Sequence, residues 1–362
     1  MAAALDPNDD GLSRKTAEAV GLLAADAVHW VTAEIANRQP GSSGTRDAGG
    51  GPIARLQTEQ YLDDHIEVLC TALATGRSEF FTDHVTWLAS VLRCRGVPAK
   101  TLGLALDLFD RFLSHSLNPA HAVIASDVLM QGRRVLAEPR DEERTRYVAR
   151  RPSDLPQVGA LTRMLANGDV GDAREVMQKA WESSGSYADV ATRLVQPALY
   201  NVGMLWQRNE ITVAQEHLAT AISEILLSRL FLTATLFVET SDHTALFACA
   251  AGNHHALGLR IVSDAFELAG WTVQYLGANT PTDALVAQVD GLRPDVVGMS
   301  ASMAQQLPTL RRAVEAIKAE LGAQCPTILV GGLPTNQVDG IWRWVGSDAW
   351  SPDAATAIRE LG

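Results

Sequence analysis

The chain has 362 residues, 47% of them hydrophobic, enough for two or three domains with ordinary packed cores. A formal net charge of −12 with no cluster of Lys and Arg excludes direct binding to a nucleic-acid backbone, so any such role would pass through a partner. No uninterrupted apolar run approaches the roughly 20 residues of a bilayer span, and MAAALDPNDDGLSR lacks the basic-then-apolar order of a signal peptide, which places the chain in the cytoplasm without a membrane role.

Residues 1–13 read as disordered, and helical periodicity begins with KTAEAVGLLAADAVHWVTAEI. QPGSSGTRDAGGGP (39–52) has the composition of a linker, so residues 1–52 form an N-terminal helix and flexible linker. From Ile53 to Glu138 apolar residues recur at three and four, punctuated by Gly76, Gly96 and Pro98, and Asn118 and Pro119, and the charged run 139–152 serves as connector. Residues 53–152 are thus an all-α sensor or docking domain. Residues 153–240 hold four amphipathic helices with short connections, the pattern of an antiparallel four-helix bundle. Four widely spaced cysteines, Cys70, Cys94, Cys249 and Cys325, fit buried thiols better than a zinc site or disulfide framework.

The rhythm changes over residues 241–362. ALFACAAG, TVQYLGA, DVVGMSAS, TILVGG and SDAW are short apolar runs separated by helical stretches, which predicts an α/β domain with a five-stranded parallel sheet. Ligands on such sheets bind beyond the carboxyl ends of the strands. There the sequence places AAGNHHALG (250–258), GMSASM (298–303) and ILVGGLP (328–334). Gly252 permits a tight turn, Gly258 lets a bulky ligand approach a helix, and the double glycine leaves open space over the sheet. His254 and His255 compete for any role at this edge.

Before the sheet, LWQRNEITVAQEH (205–217) interrupts the helical bundle with a polar turn. Thr212 and Gln215 have the spacing of a capping box, which sets Glu216 and His217 near a first helical turn. A carboxylate is favoured there by the helix dipole and can accept hydroxyl donors, whereas a protonated imidazole is disfavoured.

The strand-end residues resemble the cobalamin-binding domain, which has a flavodoxin-like (Rossmann-like) fold. Its pattern is an acidic residue, a spacer, His, two spacers and Gly, then Ser-x-Leu, then Gly-Gly. Here the positions read Asn253, His255 and Gly258, then Ser300 and Ser302, then Gly331 and Gly332. The resemblance implies that His255 is the lower cobalt ligand and that the nucleotide base enters a slot near Ser300, Ser302, Gly331 and Gly332. Two positions depart from the pattern: Asn253 replaces the carboxylate that normally tunes the histidine, and Ser302 replaces an apolar residue.

YNVGMLWQRNEITVAQEHLAT in turn resembles the four-helix cap that covers the corrin. Trp206 followed after nine residues by Glu216-His217 is similar to the light-sensing branch, whose cap encloses a 5′-deoxyadenosyl group. That likeness implies adenosylcobalamin as cofactor, Trp206 as a wall against the upper ligand and Glu216 as acceptor of ribose hydroxyls. Gln207 stands where the carotenoid-gene photoreceptor repressors carry a cobalt-capturing histidine, and the basic recognition helix of those repressors is missing. The chain is also similar to the photocobilins, which bind cobalamin and biliverdin. His65, Phe80, Phe81, His84, Trp87, Arg93 and Arg95 offer aromatic, imidazole and basic groups for such a bilin.

These resemblances imply a non-enzymatic photoreceptor in which light breaks the cobalt–carbon bond and the signal leaves through a homodimer or an unknown downstream signalling protein. The alternative is a corrinoid methyl-carrier protein serving a partner methyltransferase. A mutase is disfavoured because no substrate barrel is evident in 362 residues.

Overall fold

The computed structural model describes residues 7–38, 52–137, 155–235 and 240–361. The expected linker, but for Pro52, and the connector 139–152 lie outside the described residues. The chain divides into two compact units, Met1–Thr145 and Arg146–Gly362.

The first unit contains α1 (Pro7–Leu22), α2 (Ala24–Arg38), α3 (Pro52–Thr75), α4 (Glu79–Cys94), α5 (Ala99–Ser116) and α6 (Pro119–Ala137). The expectation of disorder over residues 1–13 is corrected from Pro7 onward, because α1 begins there. Proline at a first helical position followed by acidic residues is a helix-start signal. The periodicity through KTAEAVGLLAADAVHWVTAEI also belongs to two helices, bent by 60° at Leu23. Both pack on α3, while α6 packs on α4 and α5. Apolar residues at helical spacing, including Leu69, Leu73, Phe81, Leu88, Leu106, Phe109, Leu113 and Leu129, form the core.

Two imidazoles meet inside this unit. His84 Nε2 lies 2.9 Å from His65 Nδ1, and His65 Nε2 is buried without a hydrogen-bond partner. Burial pushes His84 down to about 4 and, with help from the His84 charge, holds His65 well below its ordinary 6.5. Burial, with Glu67 and Asp63 nearby, pushes Asp64 up to about 6. A depressed histidine contributes stability above pH 6.5 that is lost as pH falls toward about 4; raised Asp64 acts oppositely, contributing at low pH and losing its contribution as pH rises through about 6. Burial and Asp63 raise the Glu67 carboxyl too, and the two imidazoles, both shifted across most of this interval, outweigh the two carboxyls. Amides of α3 and α4 are therefore expected to lose protection between pH 7 and 5 by about tenfold, after correction for intrinsic exchange. Unchanged protection would contradict this balance.

The second unit begins with a helical layer: α7 (Gln157–Asn167), α8 (Val170–Ser184), α9 (Tyr187–Asp189), a π-helical segment Val190–Val195, α10 (Gln196–Gln207) and α11 (Val213–Ala234). Residues 187–207 run as one continuous rod despite Pro197, and the π segment lies in the turns just before it. Proline lacks an N–H and its ring collides with the carbonyl four residues back, so a widened turn relieves the clash. Leu161, Leu165, Ala173, Met177, Leu194, Val202, Ile222, Leu226 and Leu230 fill this bundle. Helix α11 has the length and average composition to cross a membrane, although Glu216, Glu224 and Arg229 interrupt its apolar residues, so no uninterrupted apolar run reaches span length there. Its Ile222, Leu226, Leu227, Leu230 and Phe231 instead supply the bundle core, which explains its hydropathy.

The α/β layer follows in the predicted order. Its elements are β1 (Thr244–Cys249), α12 (Leu257–Leu268), β2 (Thr272–Gly277), α13 (Thr282–Leu292), β3 (Val296–Ser300), α14 (Leu307–Leu321), β4 (Thr327–Gly331), α15 (Leu333–Gln337), α16 (Ile341–Val345), β5 (Ala349–Trp350) and α17 (Ala354–Leu361). All pairs are parallel and the order is β2-β1-β3-β4-β5, as expected for a flavodoxin-like sheet. Helix α12 is shared between two cores: Leu259 and Phe266 face the sheet with Phe247 and Trp271, while Ile261 and Ala265 enter the bundle core. The bundle is thereby seated on the sheet layer through α12. Of the four free cysteines only Cys249 is buried; Cys70, Cys94 and Cys325 are half-buried, which corrects the uniform expectation of buried thiols.

Candidate functional site

The order β2-β1-β3 creates a switch point: chain connections leave β1 and β3 in opposite directions, opening a crevice at their carboxyl ends. His255 follows β1 and Ser300 ends β3, so the topology places them on this crevice. Asn253 is fully buried between them. Its Nδ2 donates to the Ser300 carbonyl oxygen at 3.0 Å and to Ser300 Oγ at 3.3 Å, and its Oδ1 accepts from the His255 backbone N–H at 3.1 Å. Asn253 therefore braces the β1 loop against β3 and holds the His255 backbone. An aspartate here would set an acceptor against the Ser300 carbonyl oxygen in a buried place, a costly arrangement.

The imidazole of His255 is exposed and makes no hydrogen bond among the described residues, so a ring nitrogen is open to a ligand. His254 is exposed as well. Ser302 Oγ donates to the His255 carbonyl at 3.4 Å, tying the second hydroxyl to the same loop. A Cβ on Gly258 would meet nothing within 4 Å, whereas one on Gly332 would lie 1.9 Å from the Ala301 carbonyl oxygen. The expectation of open space over both glycines is corrected at Gly332. With φ at 106° this residue is needed for backbone-to-backbone approach. Gly331 is looser, its Cβ falling 3.4 Å from the Ser351 carbonyl oxygen.

Three further residues build this edge. Gln306 donates to the Gly252 carbonyl at 3.0 Å while its Oε1 accepts the Ser302 N–H at 2.8 Å, and Asn279 Oδ1 accepts the Gly252 N–H at 2.7 Å. Tyr275 OH donates to the Ala256 carbonyl at 3.1 Å. Asn279 sits in a turn-forming Asn-Thr-Pro, a legible signal. Gln306 and Tyr275 carry no local signature, since each acts across sequence.

At one end of the bundle, Asn209 adopts a left-handed conformation with φ 60° and ends α10, its N–H bonding the Trp206 carbonyl at 2.9 Å. Thr212 starts α11 with the predicted capping box: the Gln215 N–H reaches Thr212 Oγ1 at 3.3 Å and the Thr212 N–H reaches Gln215 Oε1 at 3.0 Å. This turn brings half-buried Trp206 to the same end as Glu216 and His217. Glu216 Oε2 lies 2.5 Å from His217 Nδ1, and the His217 side chain is 75% exposed. Gln207 is buried in the bundle. The strand-end group and the bundle-end group are each assembled; Glu216 and His217 bond one another and Thr220 rather than the strand ends.

A switch-point crevice carrying an accessible imidazole, with a helical bundle seated on the same layer, defines an α/β cofactor-binding protein with a helical cap. Residues 243–361 match the family model of the B12 binding domain, and residues 158–230 match a second model with the same description, so this part of the chain carries B12 binding domains. Relatives include the HTH-type transcriptional repressor CarA of Myxococcus xanthus, 30% identical over 36% of this chain and 49% of the repressor. The chain spans about half the length of that relative. A corrinoid protein of Desulfitobacterium hafniense is 23% identical over 55% of this chain and 92% of its own length. Among solved structures, the monomethylamine corrinoid protein of Methanosarcina barkeri aligns with a TM-score of 0.49 at 19% identity, covering 56% of this chain and 94% of that one.

The residues present fit the cofactor. Open space at Gly258 and the unbonded His255 ring suit a bulky ligand that needs a neutral nitrogen donor.

Proposed function

We propose that the protein is a cytoplasmic, non-enzymatic light sensor that binds adenosylcobalamin at the switch-point crevice, with His255 as metal ligand. When bound, this cofactor supplies a cobalt–carbon bond that visible light breaks. His255 offers the ring nitrogen, its loop braced by Asn253 and Ser302. Gly258, Ser300 and Gly331 would line the crevice beside it, with Gly332 holding the ends of β3 and β4 together. The observation that carries the adenosyl reading is the grouping of Trp206, Glu216 and His217 at one turn of the cap. An apolar ring and a carboxylate at a helix start suit a nucleoside, whereas a methyl group needs neither.

Buried Gln207 supports a signal without a cobalt lock at that position. A homodimer as output is supported by Leu218, Ile225 and Leu232, which recur at seven-residue spacing on α11 and are exposed. Biliverdin as second chromophore rests on the grouping of His65, Phe81, His84 and Trp87. Phe81 and His65 already fill that place, so a bilin there requires α3 and α4 to separate. A far-red band on adding biliverdin would establish it, and none would remove it.

The methyl-carrier alternative is favoured by the coverage of the corrinoid relative along 92% of its length. Competitive titration separates the two. The expected result is tighter binding of adenosylcobalamin than methylcobalamin, with Glu216→Gln and Trp206→Ala each reducing the preference about tenfold. Equal affinities, unmoved by either substitution, would favour the carrier.

A further inference from the structure

A chain of contacts runs from the cap to the loop that bears His255. On the cap, Tyr187 in α9 donates its hydroxyl to Asp264 Oδ2 at 2.7 Å. Asp264 lies in α12 with its side chain 3% exposed, and its Oδ1 accepts from Arg260 Nε at 2.5 Å. The Arg260 guanidinium sits between two rings, 5.8 Å from the centroid of cap residue Phe231 and 5.3 Å from that of Tyr275 in β2. Tyr187 and Phe231 also meet edge to face at 6.1 Å. Tyr275 closes the chain by donating to the carbonyl of Ala256, the residue after His255.

Each link depends on the next. A carboxylate this buried needs its donors, because an unpaired charge in a core is costly. Burial pushes the Asp264 carboxyl up although Arg260 and Tyr187 both oppose that shift. Lifting the cap would remove the Tyr187 hydroxyl and the Phe231 face together, expose Asp264 to water, and free Arg260 to leave the Tyr275 ring. Tyr275 would then hold the Ala256 carbonyl without support from its other side.

We propose that Arg260 is a positioning residue that transmits the seating of the helical cap to the cobalt-ligand loop, through Asp264 and Tyr187 on one side and Tyr275 on the other. The proposal uses the assignment of His255 as ligand but not the response to light. It makes the cap's position legible at the loop that carries His255.

Hydrogen exchange on the full chain, without cofactor and with cobalamin bound in the dark, tests it with two conservative variants and one control. Tyr187→Phe removes a hydroxyl on the cap, and Tyr275→Phe removes the last link. Both are expected to speed exchange of the loop amides 252–256 by about fivefold, the factor one lost hydrogen bond supplies. Met177→Ala, which weakens the same cap core without removing any of these contacts, should leave those amides unchanged. In protein carrying cobalt(II) cobalamin, Tyr187→Phe should also lower the fraction showing nitrogen hyperfine splitting from a histidine ligand. Loop exchange unmoved by Tyr187→Phe, or moved equally by Met177→Ala, overturns the proposal. Wild-type protein without nitrogen splitting would instead count against His255 as ligand, while the cofactor-free exchange still decides the coupling.

Discussion

Replacing His255 by alanine is expected to convert bound cobalamin to the form lacking a protein nitrogen on cobalt and to weaken binding. The loss should exceed the roughly 10–100-fold that follows removal of a mere outer partner of a metal ligand. The ring is exposed and its hydrogen bonds run through the backbone, so the substitution should leave the loop in place. His254, equally exposed and one residue earlier, is the internal control. His254→Ala should retain the nitrogen-ligated spectrum, and the reverse pattern would exchange the two assignments.

Gly332→Ala is expected to cost about 3 kcal/mol or more and to abolish cobalamin binding. The added methyl would lie 1.9 Å from the Ala301 carbonyl oxygen at a φ of 106°, and the atoms it meets are backbone, with no rotamer to move to. Relief would have to come from separating the ends of β3 and β4, where the Ala301 N–H bonds the Gly331 carbonyl at 3.2 Å. Gly258→Ala makes the informative contrast. Its methyl meets nothing within 4 Å, so folding should be unharmed and the helix gain up to about 1 kcal/mol, while the cofactor loses the space it needs. Urea midpoints and cobalamin titration together check both. Equal stability losses in the two variants would contradict this division between a packing glycine and a ligand glycine.

The α/β layer was legible because its strands are short apolar runs ending in small residues, and even Ala349–Trp350 pairs as the fifth strand. The capping box at Thr212 was legible for a similar reason, since both partners lie within one turn. The π segment before Pro197 was not, because hydrophobic periodicity does not report a widened turn. Asn253 looked in sequence like a missing carboxylate. Its amide proves to need a donor face toward Ser300 that no aspartate has, a fact visible only once β1 and β3 are adjacent. The same holds for Gln306, Arg260 and Tyr275, whose partners are brought close by the fold. Gly332 was read as space and is the reverse, because a glycine pattern alone does not distinguish room for a ligand from contact between two backbones.

The most direct measurement is the absorption spectrum of the chain loaded with adenosylcobalamin, before and after green light, with exchange of the α10 and α11 amides followed in parallel. The expected result is complete loss of the adenosyl spectrum at a rate set by the light dose, accompanied by faster exchange around Trp206 and Glu216. Photolysis indistinguishable from that of free cofactor, with no change in the cap, would contradict the light-sensor function.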